Sequence, residues 1–334
     1  MSYNHENRKL RQRRLGMNSL LNRKGKKLTT IAASLLLIAA TWGVAGCKKS
    51  EAPAQATKQE AQATFQTPLE AAGALAKAAS TQDQPGLSRI LGQESQSLLS
   101  SGDASIDKAA NADFAAKYDK MNRWVDMTDG SKALYVGADN FAFPIPLAKD
   151  SSGKWHFDSK TGAEEIRARD LGRNELLAID ACNAVANAEE LFFKHNHEYA
   201  QRIMSTPGKH DGVHWSVAET EESSPLGHLK NFPKGAVSTP DGNEPPTIDG
   251  YTLRILTAQG DEAKGGAKSF LVNGKLTGGF AVLATPEKYG KTGIMTFVLS
   301  REGRLYEQDL GPKTLEIASF IKEYNPTEGW SPVE

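Results

Sequence analysis

The chain has 334 residues, with 40 Lys plus Arg balanced by 40 Asp plus Glu, and two cysteines. So few cysteines in so long a chain exclude a disulfide-stapled scaffold, and the fold must rest on apolar cores. Nine of the basic residues fall within the first 30 positions, which leaves residues 47–334 near −8 and without the basic patch expected of a nucleic-acid binder.

The basic opening, Arg8 to Lys27, faces a single acid, Glu6, and is followed by the apolar stretch Ile31–Gly46. A stable membrane span needs about 20 apolar residues. A positive segment joined to a shorter apolar one reads instead as a cleaved export signal over residues 1–46. Met17 is an alternative start that would leave a compact signal. Val44-Ala45-Gly46-Cys47 resembles the bacterial lipobox, in which a cysteine after a small residue receives diacylglycerol and becomes the mature N-terminus. Cys47 is therefore expected to be a lipidation site and membrane anchor rather than a nucleophile, since several acyl chains give stable attachment. Arg13-Arg14 stands too far from the apolar core for twin-arginine export, so Sec export is expected. Lys48 occupies the position where an aspartate would resemble an inner-membrane retention signal. The expectation is an exported lipoprotein of the outer membrane facing the periplasm.

Residues 47–64 (Lys48–Thr64 reads KKSEAPAQATKQEAQAT) are polar and poor in bulky apolar side chains, hence a flexible tether. Such a tether reaches roughly 20–25 Å. The remainder suffices for two domains, 65–170 and 171–334. In the first, Thr67-Pro68-Leu69-Glu70 has the order of an N-cap, a first-turn proline and a third-position glutamate, and predicts a helix over Leu69–Ser80. Gln84-Pro85-Gly86 breaks it, and short helices follow at Leu87–Leu91 and Ala112–Trp124. The period then changes to that of strands at Ala133–Val136, Phe141–Ala148 and Lys154–Asp158, the last two joined by the turn Lys149–Gly153. Helices followed by an antiparallel meander resemble the cone-shaped folds of the nuclear-transport-factor-2 and cystatin type.

Helix signals stop and restart around Gly172, which places a boundary near Leu171–Arg173 and a helix at Asn174–His195. Asp180, Asn183, Asn187 and Glu190 share one side of it, and Leu177, Ala181, Ala184, Ala188 and Leu191 an alanine-rich apolar side. Strands are predicted at Tyr251–Thr257, Ser269–Val272, Gly279–Ala284, Ile294–Leu299 and Arg304–Gln308, with Ser300–Gly303 as a hairpin turn. The fold class is α+β, with helices packed on an antiparallel meander in each domain. The helix with Tyr199-Ala200, GYTLRILTA and ATPEKYGKTGIMTFVLSREGRLY resembles the globular domain of type IV pilins and pseudopilins. The chain lacks their N-terminal methylation site and long apolar spine, so a reused module is implied rather than a pilus subunit.

LLSSGD (Leu98–Asp103), FPIPL (Phe143–Leu147), GRNELLAI (Gly172–Ile179), SPLG (Ser224–Gly227) and GGFAVLATPEKYGKTGIMTFVLSREGRLYEQDLGP (Gly278–Pro312) together resemble an uncharacterised bacterial lipoprotein family, domain of unknown function 2950. The resemblance covers nearly the full mature length and implies an exported two-part body, with no assigned activity.

Candidate chemistry is sparse. His195, His197, His210 and His214 cluster in sequence, but a metal needs three or four converging ligands, usually with thiolate or carboxylate partners, and His195-x-His197 at a helix end points its rings apart. No metal and no cofactor is called for: Gly265-Gly266 and Gly278-Gly279 lack phosphate-loop spacing and read as strand punctuation. Ser100-Ser101-Gly102-Asp103 has no nucleophile elbow around it and reads as a helix end at Gly102, and Cys182 reads as a packing cysteine. Asp126 and Asp139 are general-base candidates for a hydrolase or isomerase if the first domain holds a pocket. Trp215, Tyr289, Tyr306 and Trp330, in or beside loops, are the candidate binding residues. The leading expectation is a non-enzymatic binding or assembly module for an envelope protein or polymer, and the alternative is a periplasmic enzyme.

Overall fold

The structure, a computed structural model, describes residues 61–92, 100–215, 223–227, 237–238 and 246–333. Cys47, the export signal and most of the tether lie outside these residues. The fold is α+β, and the chain divides into two compact units between Glu165 and Ile166.

The unit before Ile166 is tied down ahead of Phe65. The Gln62 amide donates to the carbonyls of Ile90 and Phe157 at 3.2 and 2.7 Å, and the Ala63 N–H to that of Arg89 at 2.9 Å. The tether expected to run to Thr64 therefore stops short of Gln62. Helix α1, Pro68–Ser80, is closed at its start by reciprocal bonds: Thr67 Oγ1 accepts the Glu70 N–H at 3.2 Å, and Glu70 accepts the Gln66 N–H at 3.0 Å. Its small residues Ala71, Ala78 and Ala79 allow close packing beside Leu75 against α2, Gln84–Leu91.

Helix α3, Ala104–Lys120, begins and ends earlier than the expected Ala112–Trp124. Asp103 caps it, accepting the Ser105 and Ile106 N–H groups at 2.8 and 3.4 Å, so Gly102 precedes a helix start instead of closing a helix. Trp124 lies in β1, Asn122–Asp126, directly opposite Leu134 of β2, Lys132–Val136. There its ring joins the packing of Phe114, Tyr118 and Phe143, and this pairing overrides helical propensity. The strand expected over Phe141–Ala148 is split into β3, Phe141–Ala142, and β4, Leu147–Lys149. Pro144 and Pro146 flank the buried Ile145, and prolines donate no ladder bond. With β5, Trp155–Phe157, the antiparallel order is β1-β2-β4-β5, β3 also pairing β2.

Helix α4 runs Ser159–Asn196 without interruption at Gly172, so the break expected there is absent. Asp158 caps its start, accepting the Thr161 N–H at 3.0 Å and the Thr161 hydroxyl at 2.6 Å. The second unit adds β6 (Val237–Ser238), β7 (Thr247–Ile248) and β8 (Tyr251–Leu256). Two small hairpins follow, β9 (Ala258–Gln259) with β10 (Lys268–Ser269), and β11 (Leu271–Val272) with β12 (Lys275–Leu276), so the strand expected at Ser269–Val272 is shared between them. Then come β13 (Ala281–Pro286), β14 (Met295–Ser300), β15 (Leu305–Asp309), helix α5 (Thr314–Phe320) and β16 (Ser331–Pro332). The sheet is antiparallel in the order β16-β15-β14-β13-β8-β7-β6.

Both sheet faces are covered. Ala178, Cys182, Val185 and Phe192 of α4 share a core with Leu253, Val282, Phe297 and Leu299. The alternate residues Leu256, Ala281, Leu283 and Val298 form a second core with Tyr324 on the other face. This is why every residue of β13 is buried.

Candidate functional site

The second of those cores carries the site. Gly311, in the left-handed region at φ 76°, turns the chain out of β15, and its N–H is held by Asp309 Oδ1 at 2.8 Å. Helix α5 then crosses the sheet face on its two small buried residues, Thr314 and Ala318. Beyond it the Tyr324 N–H reaches the Ala258 carbonyl at 2.9 Å, and the chain returns past Trp330 to β16. These elements enclose an open groove of about 480 Å³. Val298, Ile317, Phe320, Ile321 and Trp330 line its apolar part, and Gln308, Asp309, Lys322, Glu323 and Asn325 its polar rim.

The apolar wall faces solvent. Phe320 is 76% and Ile317 41% exposed, on a helix of seven residues whose Leu315, outside the groove lining, is 56% exposed. Arg254, half-buried on β8, holds this helix from beneath: its Nη2 donates to the carbonyl of Ala318 and, at 2.5 Å, to that of Ile321. Both carbonyls lie at the C-terminal end of the helix, where a cation is favoured, and that of Ala318 also accepts the Ile321 N–H at 3.1 Å. Burial lowers the pKa of the guanidinium from its ordinary value.

Three of the four predicted aromatic residues gather here. Trp330 lines the groove, Tyr306 lies edge-on to Tyr324 at 6.3 Å in the same core, and the Tyr289 hydroxyl donates to Asp309 Oδ2 at 3.2 Å. Burial and then that carboxylate raise the Tyr289 pKa. Trp215 is not among them; it stacks on His210 at 4.2 Å. Phe320 was missed because no helix was expected after Pro312, although Ile317 and Phe320 at i, i+3 oppose Thr314 and Ala318 at i, i+4.

The residues proposed for catalysis are not brought together. Asp126 is 80% exposed and paired with Lys132, and Asp139 is 59% exposed and 3.4 Å from Lys117. Asp113, closer at 2.9 Å, is the main cause of a raised Lys117 pKa, with Asp139 second. His195, His197 and His210 are exposed, and among the described residues no three His, Cys, Asp or Glu side chains converge as a metal site. His214 Nδ1 lies 3.3 Å from the Ser224 hydroxyl, but Ser224 is buried and that hydroxyl accepts the Gly227 N–H at 3.2 Å, as a turn cap does. Desolvation lowers the His214 pKa. Cys182 is fully buried and its thiol is pushed up to about 12, which leaves it inert. No described helix is long and apolar enough to cross a membrane.

Two glutamates on α4 escaped the sequence reading. Glu175, Ala178, Cys182, Val185, Glu189 and Phe192 form one buried stripe at alternating spacings of three and four. Glu175 Oε1 accepts the N–H groups of Ile294 and Met295 at 3.0 and 3.2 Å, and Glu189 Oε2 that of Ala200 at 2.8 Å. Glu190, beside them, meets Arg301 at 2.9 Å, and that guanidinium lies over the Tyr199 ring.

No curated protein and no solved structure matches the chain. The family described as protein of unknown function (DUF2950) matches residues 62–333. That match opens at Gln62, the residue whose amide fastens the start of the first unit, and closes at Val333, which bonds to the Leu305 carbonyl beyond the groove. It therefore takes in both compact units and the whole groove, and the chain belongs to the DUF2950 family of proteins of unknown function.

Proposed function

We propose that this chain is a membrane-anchored envelope lipoprotein that acts by binding or assembly, and that the α5 groove receives an apolar segment of an envelope protein. The observation that carries this reading is the solvent-facing pair Ile317 and Phe320, which line the groove beside Trp330. Exposed apolar side chains clustered against an open groove are a mark of interaction surfaces. The branched aliphatic Ile317 beside the Phe320 ring favours a protein segment over a hydrated polymer. Lipidation at Cys47 and export to the outer membrane, facing the periplasm, rest on the lipobox and the basic opening. A two-domain arrangement fits the length of the chain, and its order of elements supports a pilin-like second domain and a cystatin-like or nuclear-transport-factor-2-like first one. The enzymatic alternative has less support, because Asp126 and Asp139 are exposed and lysine-paired.

Interface anchors are worth about 2 kcal/mol or more each when truncated. Phe320→Ala should therefore weaken partner capture by the lipidated chain about 30-fold. Phe320 is the cleaner probe, since Trp330 also packs on the core beneath. An unchanged affinity in Phe320→Ala and Trp330→Ala would remove the groove from the account. A partner identified as a glycan would replace the protein segment.

A further inference from the structure

Helix α5 is held to its sheet by little apolar contact. Between Gly311 and Glu323 only the small Thr314 and Ala318 are buried, and Ile321, partly buried, is the one large side chain that packs on the core. The Thr314 hydroxyl donates to the Gly311 carbonyl at 2.5 Å, so that bond stays inside the segment. A helix of seven residues does not persist on its own propensity. The segment begins at the left-handed Gly311, where no neighbouring atom crowds the Cα. It ends at a fixed point: the Tyr324 N–H bonds to Ala258, the Gly260 N–H to the Tyr324 carbonyl at 3.1 Å, and Asn325 Oδ1 to the Glu262 N–H at 3.0 Å. Between hinge and anchor, the side-chain bonds reaching the segment from the sheet are those of Arg254 to Ala318 and Ile321.

We infer that Gly311–Lys322 is a movable strap over the sheet, pinned by Arg254, and that its release uncovers the core face around Val298 and enlarges the groove. A strap with few buried contacts opens at a free energy below that of global unfolding. Withdrawing Ala318 from the sheet bares the floor of the groove, and the exposed Leu315, Ile317 and Phe320 move with the helix. A ligand that prefers one position of the strap would shift its population. The inference is independent of what occupies the groove.

Hydrogen exchange on the full chain tests it. In the parent, amides of residues 315–321 should exchange at least about 10-fold faster than those of β13 and β14. Arg254→Gln should accelerate the strap by about a further 10-fold while β13, β14 and the Tyr324 amide keep their rates, and Arg254→Lys should fall between. Strap amides as slow as those of β13 in the parent would overturn the inference even if Arg254→Gln fails to fold. So would acceleration spread evenly over the second unit, or a strap rate unmoved by Arg254→Gln.

Discussion

The buried carboxyl of Glu189 accepts the backbone N–H of Ala200 at 2.8 Å, while its second oxygen has no hydrogen-bond partner among the described residues. Burial raises its pKa well above the ordinary 4.5, and the bond from Ala200 opposes that shift only in part. Below the ordinary value folded and unfolded chains both hold the proton, and the protonated acid's contribution is complete. As pH rises past it the unfolded chain loses the proton and the folded chain keeps it, so stability falls until the folded group itself ionises. Glu189→Gln retains an acceptor for Ala200 and removes the ionisation. It should raise the melting temperature at pH 8, by roughly 1 kcal/mol of stability or more, and change it little at pH 4. Glu189→Ala, which orphans the Ala200 N–H, should melt lower than Glu189→Gln throughout. Melting curves across that pH range check both.

Gly293 has no room for a side chain. A Cβ there would fall 1.9 Å from the Tyr251 hydroxyl, which donates to the Met295 carbonyl at 3.0 Å. Gly293→Ala should cost about 1–3 kcal/mol by overpacking. Adding Tyr251→Phe should recover little of that loss, since the ring carbons Cζ and Cε2 would also fall at 2.4 and 2.6 Å from the Cβ, and urea midpoints of the four chains would measure the coupling.

Cys182 should resist thiol reagents in the folded chain and react on unfolding. Its burial and raised pKa deny the reagent both access and thiolate. Labelling followed against denaturant then reports opening of the core under α4. Rapid labelling in buffer would mean that this core is not closed.

Much of the second unit was legible in the sequence. Alternation and the Ser300–Gly303 turn gave β13 to β15 to within two residues, and the 3.6 period gave the C-terminal half of α4. Gly172 misled because a glycine costs a helix only about 1 kcal/mol, less than continuous packing returns. Asp158 carried the true start signal but read as the end of a strand. Glu175 and Glu189 were invisible because their carboxylates serve backbone N–H groups outside the helix, 119 residues on for Glu175 and 11 for Glu189, which periodicity does not encode. Trp330 was legible as a loop aromatic, whereas the groove needs α5, whose seven residues are too few for a helical period to stand out.

Asp126→Asn and Asp139→Asn should each change stability by less than about 0.5–1 kcal/mol, because exposed ion pairs contribute little. Neither should abolish a cellular phenotype when export is intact. Loss of phenotype from one of them, with fold and level unchanged, would favour the enzymatic alternative.

The most direct measurement is photo-crosslinking in intact cells from a reactive residue at position 320 of the full-length chain, with probes at the exposed Leu69 and Ile106 as comparison. The account predicts a discrete protein adduct from position 320, lost in Trp330→Ala, and none from positions 69 and 106. An adduct from 69 or 106 with none from 320, or one from 320 that persists in Trp330→Ala, would contradict the groove as the binding site.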